Sequence, residues 1–559
     1  MYFEKIEAFD FKKHIRNSEN IYAHVCDDRK ETLEEHSKLC INYLSKIIDN
    51  KNLENVLNNF EKSLLKNISN EGKTLYREML YHVVYLHDLG KINCNFQYKK
   101  MNNNFFKTAY NLNMNTTKHS TLSSMLYINY FFMKIKSHNV KKDLDILIVL
   151  MMINAYVISK HHSSFDGLTE FKKKMIELDA EGYKLYTEQL ELFEVNCNIP
   201  IVLKRYRDWQ ILFKNFETIL KNLENTYKNI SINFFIYTRF ITSLLLSSDY
   251  YATSHFKNEK QYIDFGEIKD IEDFYNVYKN TDIYKAIRKY EGEYYGKTSD
   301  FNEVKNINIM RNELFLDAEK NLLKNMDKDI FYLEAPTGSG KSNTAFNLTF
   351  RILEEDNSIN KIFYIYPFNT LIEQNLETLN NIFQNSPIKN DITVINSIIP
   401  IKRKEKINSE INNSETSDVI NKDNEDYVNA LLDRQFLHYP IILTTHVSTF
   451  NYLFGTSKDN LFPLAQMANS VFILDEIQSY RNNIWKEIII FLKQYAKLLN
   501  IKFIIVDPSA ASFIAELKKR GLRVKEANNE VLDGIRNVAT ALNEGMIKYN
   551  DCCKETFKE

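Results

Sequence analysis

Residues 329 to 350, DIFYLEAPTGSGKSNTAFNLTF, constrain the fold more than any other stretch of the chain. An apolar run, IFYLEA, enters the turn Ala335-Pro336-Thr337-Gly338-Ser339-Gly340-Lys341-Ser342, and a helical pattern follows. Strand, glycine-rich turn, lysine with a hydroxyl, then helix is the order that lets backbone N–H groups face a polyphosphate at a helix N-terminus. Lys341 is placed to reach the terminal phosphates and the Ser342 hydroxyl to bind magnesium. ATP with Mg is therefore the expected ligand here, with Ala335, Thr337, Gly338, Ser339 and Gly340 forming the cradle.

Further along, SVFILDEIQSY (470–480) ends an apolar strand at Asp475-Glu476. Asp475 is the expected magnesium partner and Glu476 the residue that polarises the attacking water. KIFYIYPFNTLIEQN (361–375) and PIILTTHVSTFNYLF (440–454) are two more strands that run into hydroxyl- or amide-rich turns. IKFIIV (501–506) is another, and INIMRNELFLDAEKNLL (307–323) reads as an amphipathic helix ahead of the phosphate loop. The pattern predicts a RecA-like α/β lobe over 311–506. Its strand-end turns resemble those with which superfamily 2 helicases touch the sugar-phosphate backbone.

With 559 residues the chain exceeds what one hydrophobic core usually serves. Lys and Arg number 72 against 73 Asp and Glu, so any polyanion site must be a local patch. Six cysteines (Cys26, Cys40, Cys94, Cys197, Cys552, Cys553) without CxxC spacing read as reduced thiols of a cytoplasmic protein. The start, MYFEKIEAFDFKKH, lacks a signal-peptide core. The apolar runs at 146–158 and 234–246 fall short of a membrane span and predict buried helices, with no membrane partner.

Ten of the twelve histidines lie in the first 255 residues, where apolar residues recur at helical spacing and few β-rich runs appear. An all-helical domain over 1–255 is expected. Five segments carry possible metal ligands: ETLEEHS (His36), YLHDLGK (His87, Asp88), TKHST (His119), SKHHSSFDG (His161, His162) and LLLSSDYY (Asp249). A lone histidine is ordinarily a surface or satisfied core residue, but His87-Asp88 closes an apolar helical stretch at Gly90, a candidate C-cap. Adjacent imidazole and carboxylate can serve one site, and a carboxylate can bridge two cations.

The order H, HD, H, HH, D resembles the HD-domain metal-dependent phosphohydrolases over about 220 residues. YAH at 22–24, HDLGK with Lys91, KHS, KHH and SSDY look like the HD nuclease domain of the CRISPR-associated nuclease-helicases of type I systems. YPFNTLIEQN, TTHVSTFNYLF and DEIQ resemble the motor of the same family. The resemblance implies that His36, His87, Asp88 and Asp249 hold one metal ion, and that Asp88 bridges to a second held by His119, His161 and His162. It implies a catalytic role for Asp88 and places Lys91 at the scissile phosphate. Imidazole-rich ligation favours Fe, Mn, Co or Ni over magnesium. Two such divalent ions suit metal-assisted hydrolysis of single-stranded DNA, and the implied partner is an RNA-guided CRISPR surveillance complex.

The family's next motif, Ser-Ala-Thr, is replaced by Asp507-Pro508-Ser509-Ala510-Ala511 after the 501–506 strand. From 507 to 559 the tail resembles a nuclease segment of phage terminase large subunits, in which Asp507 would be a candidate ligand. No residues remain for a second helicase lobe, so the expectation is an HD nuclease (1–255), a connecting helical segment (256–310), a first RecA-like lobe (311–506) and a divergent tail, with the motor truncated. Residues 401–427 read as a solvated insertion. Rival readings are an HD phosphohydrolase acting on nucleotides with a regulatory ATP-binding lobe, and an inactive fusion product.

Overall fold

The computed structural model describes residues 2–107, 117–176, 197–297, 306–336, 338–396, 433–476 and 485–507. Thr337, the 401–427 segment, Gln478, Cys552, Cys553 and the terminase-like tail from Pro508 lie outside the described residues.

The N-terminal part is built from long helices whose apolar stripes face one another. Helix Leu33–Asn50 opens with a capping box, in which Thr32 caps the Glu35 N–H and the Glu35 carboxylate returns to Thr32. Its buried residues His36, Cys40, Tyr43, Leu44 and Ile47 recur every three or four positions, so His36 lies on the core stripe. Helices Asn70–Tyr85, Ser120–Lys136, Leu144–Lys160 and Ile230–Asn258 complete the bundle around the site. The last, at 29 residues, is long and apolar enough to cross a bilayer, but 78% of its apolar stretch is buried against the rest of the chain, and it is a core helix.

One element departs from the all-helical expectation. Strands β1 (Tyr22–Cys26) and β2 (Arg29–Thr32) form an antiparallel hairpin that sets His24 opposite Glu31. A five-residue strand beside a four-residue one is too short to show a period of two in sequence.

Beyond residue 300 lies a six-stranded sheet of β3 (Ile330–Glu334), β4 (Lys361–Tyr366), β5 (Ile392–Ile395), β6 (Ile441–Thr445), β7 (Ser470–Leu474) and β8 (Ile501–Asp507). The spatial order is β3-β8-β7-β4-β6-β5, with parallel pairing from β8 through to β5. The inner strands are buried on both faces, which is why they read as unbroken apolar runs. Alternate residues serve two cores. Ile362, Tyr364, Leu443, Ile473 and Ile504 pack with the helix after the phosphate loop, Lys341–Glu355. Phe363, Ile365, Phe472 and Phe503 join the core of the N-terminal helices.

Helices Ile271–Lys279 and Asp282–Glu293 occupy the connecting segment. The first packs on the helix after the phosphate loop: Tyr275 donates to Asn347 Oδ1 (3.3 Å) and Tyr278 to Asn343 Oδ1 (2.9 Å). The two large parts are joined by buried polar contacts as well. Arg239 donates to the Gly455 and Tyr452 carbonyls, each at 2.7 Å, at the C-terminus of helix His446–Phe454.

Candidate metal centre and nucleotide site

His87 and Asp88 follow the end of helix Asn70–Tyr85, in the turn before the 3-10 segment Leu89–Ile92. Gly90 is not the C-cap of that helix, which closes at Leu86. Its role is close approach: a Cβ there would lie 2.1 Å from the His119 carbonyl oxygen and 2.9 Å from the Ser123 nitrogen. The Gly90 N–H also donates to Ser123 Oγ at 2.8 Å. The missing side chain lets the start of helix Ser120–Lys136 press against the turn, which carries His119 to Asp88.

All seven residues expected to ligate metal converge. Asp88 divides them between its two oxygens. Its Oδ2 faces His36 Nε2 (3.6 Å) and His87 Nε2 (3.5 Å), and both imidazoles also face Asp249 Oδ1 (3.3 and 3.5 Å). Its Oδ1 faces His119 Nε2 (3.1 Å) and His161 Nε2 (3.4 Å), while His162 Nε2 stands 2.9 Å from His119 Nε2. His36, His87, Asp88 and His161 are essentially closed to solvent, whereas His162 is exposed and Asp249 partly so. The site therefore opens on the side of His162 and Asp249.

Backbone carbonyls fix the tautomers. His87 Nδ1 is held by the Val84 carbonyl at 2.8 Å and His161 Nδ1 by the Ile158 carbonyl at 2.6 Å. Each Nδ1 must then carry the proton, leaving the Nε2 lone pair aimed inward, as a metal-ligating imidazole requires. His87 Nε2, His161 Nε2 and Asp88 Oδ1 are buried with no hydrogen-bond partner. Such orphans cost stability, and one cation on each side of Asp88 would satisfy all three. The donor set thus fits two divalent ions.

The electrostatics agree. Burial pushes the Asp88 carboxyl up, but Lys91, His87, His119 and His161 outweigh it and hold it well below its ordinary value. Asp249 behaves likewise through His36 and His87. His162 keeps an edge open to solvent, but protein packed around the rest of its ring and the neighbouring His161 imidazole drive it down to about 2; burial lowers His161, so both favour the neutral form a ligand needs. Lys91, expected at a scissile phosphate, is buried at the centre, with Nζ 2.6 Å from Asp88 Oδ2 and 3.2 Å from the Ala23 carbonyl oxygen.

Three residues next to this centre were given no role in it by the sequence. Glu31 Oε2 is 2.8 Å from His24 Nδ1 and 3.3 Å from His36 Nδ1. Its carboxyl is pushed up by burial, but these imidazoles draw it down to about 2. His24 Nε2 lies 3.4 Å from Lys91 Nζ. Cys40 Sγ lies 3.4 Å from His36 Nε2, and burial pushes its thiol up to about 11. His24 was legible in the YAH stretch and Cys40 in its i, i+4 spacing from His36; Glu31 had no readable signal.

In the motor lobe β3 feeds the phosphate loop, where Gly338 and Gly340 take positive φ (82° and 87°) and Lys341 opens the helix, buried. Arg311 supports the loop by donating to the Gly338 carbonyl from Nε (2.9 Å) and a terminal nitrogen (2.7 Å). Asp475 ends β7; burial and the neighbouring Glu476 raise its carboxyl to about 6, against the pull of Lys341. Glu476 takes a left-handed φ of 54° in the turn after β7. Strand β8 lies between β3 and β7, so 501–507 complete the motor sheet rather than stand apart from it.

Two family models match: the HD domain of Cas3 over residues 33–200 and the DEAD/DEAH box helicase over 316–510. Among solved structures the chain resembles T. fusca Cas3 bound to ADP, with TM-score 0.50 and 12% identity over 92% of this chain and 54% of that one. T. fusca Cas3 itself gives TM-score 0.50 and 12% identity over 91% and 53%. A chain of a CRISPR RNA-guided surveillance complex, pre-nicking, aligns with TM-score 0.41 and 12% identity over 92% and 51%. The chain spans about half the length of these structures. No curated protein sequence matches it significantly.

Proposed function

In a chain that carries a Cas3-type HD domain ahead of a DEAD/DEAH-box helicase lobe, we propose that the histidine and aspartate cluster is a two-metal phosphodiesterase centre that cuts single-stranded DNA in CRISPR interference. The observation that carries this reading is the division of ligands across Asp88: His36 and His87 face one oxygen and His119 and His161 the other, with Asp249 beside the first pair and His162 beside the second. Two divalent transition-metal ions bound there would supply an activated water and neutralise charge building on the phosphate. The chain's residues do the positioning: the Val84 and Ile158 carbonyls set the tautomers, and Lys91 fixes Asp88. The open side at His162 and Asp249 is where a flexible backbone can enter. A duplex would have to be opened first, which fits an RNA-guided surveillance complex as the partner.

The lobe's own chemistry follows from Lys341 and Ser342 at the helix start and from Asp475 and Glu476 after β7, which together suit ATP with magnesium. The nuclease centre needs no nucleotide. Metal analysis joined to a cleavage assay tests the reading: two manganese, cobalt or nickel ions per chain, with single-stranded DNA cut whether or not ATP is present. Asp88→Ala, which removes the shared ligand, should lower cleavage at least about a hundredfold. Intact DNA after incubation with fully metal-loaded protein would refute the proposal.

A further inference from the structure

The half of the centre built by His36, His87 and Asp249 contains a fourth donor that a histidine and aspartate set does not account for. Cys40 sits one helical turn beyond His36 on helix Leu33–Asn50 and is closed to solvent. Its sulfur, His36 and His87 imidazole nitrogens and an Asp249 oxygen all lie within 4.8 Å of one another. Among the hydrophobic residues of its stripe Cys40 would pass for filler, yet its sulfur meets the Nε2 of His36, the nitrogen that faces Asp249 and Asp88. A second observation points to an ion in this place: His87 Nε2, fully buried, is aimed into the same space without a hydrogen-bond partner.

Distances suit a shared ion. Ligands on one tetrahedral centre, with bonds of roughly 2.0 to 2.3 Å, stand about 3.3 to 3.6 Å apart. Sγ to His36 Nε2 is 3.4 Å, His36 Nε2 to Asp249 Oδ1 is 3.3 Å and His87 Nε2 to Asp249 Oδ1 is 3.5 Å.

We propose that Cys40 is a thiolate ligand of this metal position, so that the two halves of the centre differ in kind: beside the shared Asp88, two imidazoles, the Asp249 carboxylate and a sulfur on one side, and imidazoles alone on the other. On binding, the thiol proton leaves to buffer as the metal–sulfur bond forms. Soft sulfur ligation selects for cobalt, iron or zinc over manganese and magnesium at that position, whereas the His119 side keeps the broader preference of imidazole. The inference rests on the two-metal reading, and its test separates the two.

The full chain is loaded with cobalt(II) and its spectrum recorded. Two ions per chain with visible ligand-field bands are expected, together with a near-ultraviolet sulfur-to-cobalt charge-transfer band. Cys40→Ser should abolish that band, keep the visible ones, and weaken cobalt at one of the two positions at least about tenfold. Cys40→Ala repeats the measurement should serine perturb the fold. Cobalt bound without the near-ultraviolet band, or a band that persists in both variants, overturns the thiolate ligand while leaving the two-metal centre standing. Failure to bind cobalt at all removes both.

Discussion

Glu31 stands outside the expected ligand set yet touches it. Its carboxylate lies between His24 Nδ1 and His36 Nδ1 and stays ionised because both imidazoles outweigh the upward push of burial. An anion at Nδ1 favours the tautomer that leaves Nε2 free for a metal and raises its basicity. Glu31→Gln keeps the shape and removes the charge. Metal affinity at the His36 side should fall 10- to 100-fold, roughly the cost of losing an outer partner of a ligand, while the thermal midpoint moves little. Calorimetric titration with cobalt measures it, and an unchanged affinity would mean that packing alone fixes His36. The seven residues that converge at the centre were readable because their types and order carried the chemistry. Glu31 was not, because its meaning depends on the hairpin register that sets it opposite His24.

At the level of elements, the centre is assembled by one close packing. The Leu89–Ile92 segment touches the start of helix Ser120–Lys136 where Gly90 has no side chain. In Gly90→Ala the new methyl would meet the His119 backbone, not a side chain that can rotate, so the helix must shift. We expect a loss of about 2 to 4 kcal/mol in urea unfolding, within the range for overpacking and lost buried bonds. Metal stoichiometry should drop from two to one as His119 leaves Asp88; wild-type stoichiometry and stability in the variant would refute this account. The sequence read Gly90 as a helix terminator, since glycine after a helical stretch usually is one; the contact that explains it lies about 30 residues away. The strands of the motor sheet were legible for the opposite reason. Each is buried on both faces, so its apolar run is continuous and its end is marked by a polar turn. The same continuity made 501–506 recognisable as a strand, which runs one residue further to Asp507, and gave no sign that it would lie between β3 and β7.

Across the whole molecule, the helical part and the sheet share one apolar core and a buried polar seam. Asn469, just before β7, donates to the Lys51 (2.7 Å) and Asn52 (2.9 Å) carbonyls at the end of helix Leu33–Asn50. Lys51 donates to Asn360 Oδ1, and Lys361, the first residue of β4, donates to the Leu437 carbonyl (2.7 Å), the Phe265 carbonyl (3.3 Å) and Gln466 Oε1 (3.2 Å). Both lysines are fully buried, and this gives the assembly a pH signature. Burial pushes Lys361 from 10.5 down to about 8, against the partial pull of Glu267 and Asp264. Below pH 8 folded and unfolded chains both hold this proton. Between about 8 and 10.5 only the unfolded chain does, so stability rises with pH across that window, by up to about 1.4 kcal/mol per pH unit for the single group. Buried tyrosines such as Tyr364, whose hydroxyls burial holds well above their ordinary value, act in the other direction once unfolded tyrosines ionise near pH 10. The window to examine is therefore pH 8 to 9.5. Lys51, pushed down first by its own burial and then by the charge of Lys361, keeps only the burial part of its contribution in a Lys361→Met variant. Urea midpoints should rise over this window in the wild type and rise less steeply in Lys361→Met. Equal slopes would mean that Lys361 titrates as it does in water, and that the seam admits solvent.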